Sequence, residues 1–186
     1  DLHSTSRRQR QMCIRDSTYW MPIYRSKDLV NWEYQKTAFT QATKPSLSGG
    51  GAFWAPEMTY INGKYVLYFS WAKMNGADVS YTAVAVSDSP LGPFPNSKAL
   101  ITNEEFGSNV IDQFYYEENG KKYMFFGSFK GIYVTELTDD GLSVKRDVDG
   151  KPVLKKQVCG NAFEGTNIYK KNGLSLIHIS EPTRRR

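Results

Sequence analysis

Histidine and cysteine are scarce in this sequence. The 186 residues contain two of each, and residues 18–173 contain no histidine and a single cysteine, Cys159. That segment therefore cannot supply a Ser-His-Asp triad, a Cys-His pair or the usual zinc ligands, and we predict no metal ligands in it. A lone cysteine is most often a small buried hydrophobe. Catalysis by this segment would have to rely on carboxylates.

Long apolar runs are also missing. No stretch reaches the roughly 18 apolar residues of a membrane span, and the N-terminus lacks the basic, apolar and small-residue succession of a secretory signal. The composition, 40% hydrophobic and 14% aromatic, suits one domain with a sizeable core. Because the sequence does not begin with Met, we expect a fragment that does not include its targeting signal.

The two ends differ in character from the middle. Residues 1–17 (DLHSTSRRQRQMCIRDS) and 174–186 (LSLIHISEPTRRR) show no periodicity that joins them to their neighbours. Both resemble translated sequencing-adapter sequence, so we predict that they are non-native flanks around a domain at 18–173. A natural basic arm or an arginine-rich signal is the alternative. The segment LSLIHIS alternates apolar and polar residues, so it could still form a strand.

The formal net charge of +5 comes mainly from these flanks. The first carries four Arg against two Asp, and the second carries three Arg against one Glu. The central segment is therefore close to neutral, at about +1, and it has no patterned basic stripe. We predict neither a nucleic-acid partner nor a membrane partner.

The central segment is patterned for strands and hairpins. Short aromatic runs over Lys64–Ser70 and Lys122–Ser128 each follow an Asn-Gly pair. Asn-Gly between such runs predicts a type I′ hairpin, because both central positions need a positive φ. Third strands are predicted over Tyr81–Ser87 and Gly131–Leu137, and no stretch has a clear amphipathic helical period.

The Asn-Gly turns at positions 62, 119 and 172 repeat at intervals of 57 and 53 residues. Such a period predicts the blades of an all-β propeller, in which the first strand of each blade lines a central channel. Glu57, Asp112 and Glu164 are then expected at the heads of three inner strands, facing one pocket. Carboxylates that share an enclosed site can keep one proton for donation. Strand capping or ion pairing by these acids is the alternative.

Five motifs carry a more specific resemblance. They are WAPE (54–57), ID (111–112), GSFKGIYVTEL (127–137), FEG (163–165) and SKDLVNWE (26–33). This ordered set, over residues 18–173, resembles glycoside hydrolase family 43, and the GSF…GI element is most like its arabinan endo-1,5-α-L-arabinosidases. The resemblance implies a fragment of a five-bladed β-propeller with part of blade one, blades two and three, and part of blade four. It also implies inverting hydrolysis of arabinofuranosyl or xylosyl linkages.

The resemblance assigns catalytic roles to two of the acids. Glu164 is implied as the general acid, and Asp112 as the residue that orients it and helps keep it protonated. The general base is implied to be an Asp in an inner strand before Thr18, which this chain lacks. Asp16 is not in that motif. We therefore expect the chain by itself to be nearly inert, because inversion needs both acid and base.

The resemblance also implies substrate contacts and partners. Substrate-binding residues are predicted at Trp54, Phe53, Glu57 and Ser128, with plain packing as the alternative for the aromatics. The partner is an arabinan, arabinoxylan or xylo-oligosaccharide, and the complete enzyme is expected to be a secreted or periplasmic monomer. No cofactor is required, although a structural calcium ion in the complete enzyme is allowed.

Two departures from the family pattern bear on the function. Gln113 follows the Asp where the family usually has Pro, and Thr166 follows Glu164-Gly165. The alternative functions are a β-xylosidase or α-L-arabinofuranosidase of the same family, and a propeller that only binds glycans.

Overall fold

The regular secondary structure of the described residues is almost entirely β-strand. The computed structural model describes residues 20–48, 51–72 and 79–180. The elements are β1 (Pro22–Ser26), β2 (Trp32–Thr37), β3 (Ala52–Ile61), β4 (Lys64–Ala72), β5 (Ser80–Ser87), β6 (Lys98–Thr102), α1 (Asn103–Phe106), β7 (Phe114–Glu118), β8 (Lys121–Phe126), β9 (Ile132–Leu137), β10 (Lys156–Cys159), β11 (Glu164–Lys171) and β12 (Leu174–Ser180). None of the helices in the described ranges is long and apolar enough to cross a membrane.

The strands form successive antiparallel sheets in chain order. Strands β3 to β6 form one four-stranded sheet and β7 to β10 another, and the pairs β1-β2 and β11-β12 flank them. The two four-stranded meanders are blades two and three, and the flanking pairs belong to blades one and four. The predicted all-β propeller fragment, with these blade assignments, is confirmed.

The first strand of each blade lies next to the first strand of the following blade. Strand β3 contacts β7, and β7 contacts β11. An ion pair between Lys170 and Glu118 also joins β11 to β7. This arrangement places the acid-bearing strands side by side, as a propeller requires of strands around its axis.

The predicted hairpin turns are present in all three repeats. Asn62-Gly63, Asn119-Gly120 and Asn172-Gly173 all have positive φ, between 49° and 81°. A positive φ at both central positions defines the primed turn that matches the twist of the flanking strands. These turns fix the register of the first two strands in each blade.

Two apolar clusters join the blades. One lies between blades two and three and includes Tyr68, Met124 and Phe126, which are buried. The other lies between blades one and two and is centred on Phe39 and Phe69. These clusters set how neighbouring sheets face each other, and thereby how their inner strands meet.

The motif SKDLVNWE forms the turn between β1 and β2. The Asp28 carboxylate accepts the backbone N–H groups of Asn31 at 2.7 Å and Val30 at 2.9 Å. These hydrogen bonds, led by that of Asn31, hold the pKa of Asp28 well below its usual range. The acid in this motif therefore serves the turn.

The C-terminal segment pairs with the blade-four strand. Residues of β12 pair antiparallel with β11, from Lys171 opposite Leu174 to Glu164 opposite Ser180. The apolar side chains Leu174 and Leu176 remain exposed. The strand that LSLIHIS could form is thus present, while the non-native origin of 174–186 stays a prediction. Residues 1–17, and with them Asp16, lie outside the described residues.

Candidate active site

A left-handed residue recurs at the same place in three blades. Ala55, Asp112 and Gly165 each lie seven residues before the Asn of their hairpin turn, and their φ angles are 48°, 54° and 64°. In β3 and β11 the ladder register shifts at this place, between Trp54 and Glu57 and between Glu164 and Asn167, whereas Asp112 lies just before β7. Bulges of this kind re-aim side chains. The left-handed residues define equivalent positions in blades two, three and four.

Counted from the hairpin Asn of its own blade, each predicted catalytic acid lies at nearly the same place, Asp112 seven residues before it and Glu164 eight. Asp112 occupies the left-handed position of blade three, and Glu164 immediately precedes the left-handed Gly165 of blade four. Glu57 lies two residues after the left-handed Ala55, within β3. The expectation that all three acids head their strands in comparable places is therefore wrong for Glu57.

Asp112 is half-buried and is affected by the charge of Glu164. Burial first, and the negative charge of Glu164 second, raise the pKa of Asp112 to about 6. Both effects disfavour ionisation, because a carboxylate loses solvation in the protein and is repelled by a like charge. The structure thus brings these two acids together in one electrostatic environment.

The backbone of Asp112 is held by two polar side chains. Its N–H donates to the Ser70 hydroxyl at 3.0 Å, and that hydroxyl donates to Oε1 of Gln113 at 3.0 Å. The amide nitrogen of Gln113 in turn donates to the carbonyl of Ala55. The N–H of Gly127 donates to the carbonyl of Ile111 at 2.9 Å, which extends the β7–β8 ladder towards Asp112.

Glu164 is held from blade three. The Ser128 hydroxyl donates to Oε2 of Glu164 at 2.9 Å, and the backbone N–H of Phe129 donates to the carbonyl of Phe163 at 3.1 Å. Ser128 is buried, with 1% of its surface exposed, and the described partner of its hydroxyl is the carboxyl group of Glu164. Its predicted contact with substrate stays a prediction.

Glu57 lies at the contact between β3 and β7. It is half-buried, its pKa is raised by desolvation, and a hydrogen bond from the backbone N–H of Tyr115 partly offsets that effect. Its predicted contact with substrate stays a prediction.

The two predicted sugar platforms differ in their surroundings. The ring of Phe53 stacks on Trp71 at 5.8 Å and packs edge-on against Phe39 and Phe69. These contacts place Phe53 in the cluster between blades one and two, which favours packing. Trp54 is half-buried beside it on β3, and its sugar contact stays a prediction.

Metal binding has little support in the described ranges. Across residues 20–48, 51–72 and 79–180, no group of three or more His, Cys, Asp or Glu side chains is placed to hold a metal ion. A structural calcium ion in the complete enzyme stays a prediction.

The sequence analysis missed Ser70 and Gln113 as parts of the site. Gln113 carried a signal, since it stands where the family usually has Pro. Ser70 carried a weaker one: it lies eight residues after Asn62, as Gly127 lies eight after Asn119. That spacing becomes informative only when the strand register is known.

The fold and the two carboxyl groups at the inner strands of neighbouring blades agree with the family that the sequence motifs resemble. The family model described as "Glycosyl hydrolases family 43" matches residues 14–183, and the chain belongs to this family.

Several known proteins resemble the chain. The extracellular endo-α-(1→5)-L-arabinanase 1 of Bacillus subtilis is 28% identical over 168 residues, which cover 85% of this chain and 50% of the relative. A xylosidase/arabinosidase of Bacteroides ovatus is 31% identical over 187 residues, covering 81% of this chain and 55% of the relative. The crystal structure of an endo-arabinase from Bacteroides thetaiotaomicron matches with a TM-score of 0.64 and 26% identity, over 87% of this chain and 62% of that one. The chain spans about half the length of these two sequence relatives.

Proposed function

We propose that this chain is the acid-bearing part of a glycoside hydrolase that cleaves α-L-arabinofuranosyl linkages in arabinan with inversion. The observation that supports the proposal is the placement of Glu164, which accepts the Ser128 hydroxyl across neighbouring blades, beside Asp112, whose pKa is raised first by burial and then by the charge of Glu164. A structural role alone would not require two acids at one irregularity of successive blades.

In this proposal Glu164 protonates the leaving glycosidic oxygen. The hydroxyl of Ser128 holds one carboxylate oxygen, Oε2, so the other oxygen is the one assigned to the proton that is transferred. Asp112 supplies the neighbouring negative charge and orients the acid. Protonation of the leaving group by a positioned acid contributes roughly 10² to 10⁴ in rate.

Inversion also requires a base that activates water on the opposite face of the sugar. We assign the base to an Asp on an inner strand of blade one, before Thr18. The 186-residue chain should therefore bind a glycan without cleaving it at an appreciable rate.

We place arabinan first among the candidate substrates because two relatives, from Bacillus subtilis and Thermotoga petrophila, are named as endo-arabinanases. The second candidate is a β-xylosidase or α-L-arabinofuranosidase, which the name of the Bacteroides ovatus relative favours. A propeller that only binds glycans is the third. Three relatives are named as extracellular, so we propose that the complete enzyme is secreted or periplasmic and acts as a monomer on its polysaccharide.

The test uses the complete enzyme, with blade one intact, on linear arabinan, arabinose-decorated xylan and an aryl xyloside. Replacing Glu164 with Gln keeps the shape and removes the proton, so cleavage should fall by roughly 10² to 10⁴ while binding barely changes. Glu104→Gln, on the exposed surface of α1, is the matched control and should retain full activity.

The outcomes separate the three candidates. Full activity of Glu164→Gln on polysaccharide would remove the acid assignment. Cleavage of the xyloside without cleavage of arabinan would keep the mechanism and overturn the substrate. Binding of arabino-oligosaccharides by a complete, folded protein that cleaves none of the three substrates would favour the glycan-binding propeller.

A further inference from the structure

One buried chain of hydrogen bonds joins the irregularities of blades two and three. It runs from the N–H of Asp112 to the Ser70 hydroxyl, from that hydroxyl to Oε1 of Gln113, and from the Gln113 amide nitrogen to the carbonyl of Ala55. Ser70 is 0% exposed and Gln113 is 6% exposed. Water therefore cannot readily replace a missing member of this chain.

The hydrogen-bond chain connects two residues, Ala55 and Asp112, whose backbone conformations are unfavourable by themselves. Ala55 and Asp112 have φ angles of 48° and 54°. A left-handed residue with a Cβ atom costs roughly 1 to 2 kcal/mol, and it persists where surrounding contacts determine it. One side chain, Gln113, reaches both positions: it contacts Ala55 directly and Asp112 through Ser70.

The arrangement is particular to one of the three described inner strands. The positions equivalent to Gln113, six residues before the hairpin Asn, hold Pro56 in blade two and Thr166 in blade four. Proline has no side-chain donor or acceptor. The Thr166 hydroxyl is buried without a partner among the described residues. The bridge therefore belongs to the blade that carries Asp112.

We propose that Gln113 and Ser70 are positioning residues for Asp112, fixing its left-handed backbone so that its carboxyl group stays beside Glu164. The role of Asp112 in catalysis rests on the proposed function. The effect of Gln113 and Ser70 on the position of its carboxyl group does not.

The experiment follows the titration of the Asp112 carboxyl carbon by NMR in the 186-residue chain, together with unfolding in urea. The variants are Ser70→Ala and Gln113→Leu. The control is Tyr68→Phe, which removes another buried hydrogen bond between the same blades, from the Tyr68 hydroxyl to the carbonyl of Gly141 at 2.9 Å. Removing one partner of a buried hydrogen bond destabilises by roughly 1 to 3 kcal/mol in each case.

If the proposal holds, both Ser70→Ala and Gln113→Leu lower the Asp112 titration midpoint by about one pH unit, because the released carboxyl group gains solvent and moves away from Glu164. Tyr68→Phe loses stability but keeps the midpoint. An unchanged midpoint in a folded Gln113→Leu variant would overturn the proposal, and this variant decides the matter if Ser70→Ala does not fold. Because no turnover is measured, failure of the hydrolase assignment would leave this result standing.

Discussion

The hydroxyl of Ser128 in blade three donates a 2.9 Å hydrogen bond to Oε2 of Glu164 in blade four. The partners belong to different sheets, so the orientation of the proposed acid depends on how the blades pack. Ser128 follows Gly127 directly after β8, in the segment that also contacts Phe163 through the N–H of Phe129.

Replacing Ser128 with Ala should reduce the free energy of unfolding by about 1 kcal/mol. The lost bond joins a buried hydroxyl to a carboxyl group, and the half-buried Glu164 can recover part of it from water. Urea unfolding at neutral pH measures the loss. Ser175→Ala, on the exposed surface of β12, should change stability by less than about 0.5 kcal/mol. Equal stability of Ser128→Ala and the parent would contradict the described contact.

Asp112 should make the chain less stable as the pH rises. Its pKa is about 6 in the folded chain against an ordinary 3.8, so the folded chain holds this proton more tightly than the unfolded chain. The resulting penalty is absent below pH 3.8, grows between 3.8 and about 6, and is fully present above that. The shift sets an upper limit of about 3 kcal/mol, and solvent screening of a half-exposed group reduces it to roughly 1 kcal/mol.

Asp112→Asn should therefore be more stable than the parent by roughly 1 kcal/mol at pH 7.5, with the difference vanishing below pH 4. Asn also tolerates the left-handed conformation. Asp112→Ala loses the charge too but suits this conformation less well, so it should gain less. Denaturant unfolding over a pH series measures both variants. A gain by Asp112→Asn that is equal at pH 3.5 and 7.5 would show that ionisation is not its cause.

Replacing Gly127 with Ala should disrupt the segment that carries Ser128. Gly127 has a φ of 135°, and an added Cβ would collide with the carbonyl oxygen of Gly131. Gly120, with a φ of 75°, has nothing within 4 Å of such a Cβ, so Gly120→Ala carries only the conformational cost of roughly 1 to 2 kcal/mol. Gly127→Ala should lose clearly more stability than this control, measured by thermal unfolding. Equal losses would contradict the close backbone approach.

Replacing Phe53 should mainly reduce stability, and replacing Trp54 should mainly weaken glycan binding. Phe53→Ala removes a ring that contacts Trp71, Phe39 and Phe69, so it should destabilise the chain by about 3 kcal/mol or more. Trp54→Ala should weaken the binding of arabino-oligosaccharides, because an aromatic face packs against a sugar ring, while costing less stability. Calorimetric titration and urea unfolding measure the two effects. Loss of binding by a folded Phe53→Ala, with Trp54→Ala unaffected, would reverse the assignments.

The sequence by itself determined the repeat and its turns. Asn-Gly pairs favour the type I′ turn through their own tolerance of positive φ, and runs such as Lys64–Ser70 are short, aromatic and bounded by these turns. For this reason the hairpins and the propeller repeat could be predicted from residue types and spacing, whereas the blade numbers and the choice of Asp112 and Glu164 among three acids came from the family resemblance. The fourth strands, β6 and β10, were not located, because they lie at blade edges and lack a strong pattern of their own.

Only the tertiary structure decided which side chains meet. The packing of blades two and three brings Ser70 to Asp112 across 42 positions of sequence. Likewise, Ser128 reaches Glu164 only because β8 and β11 belong to neighbouring blades. Contacts of this kind depend on how two sheets pack against each other, and no local pattern of residues encodes that distance.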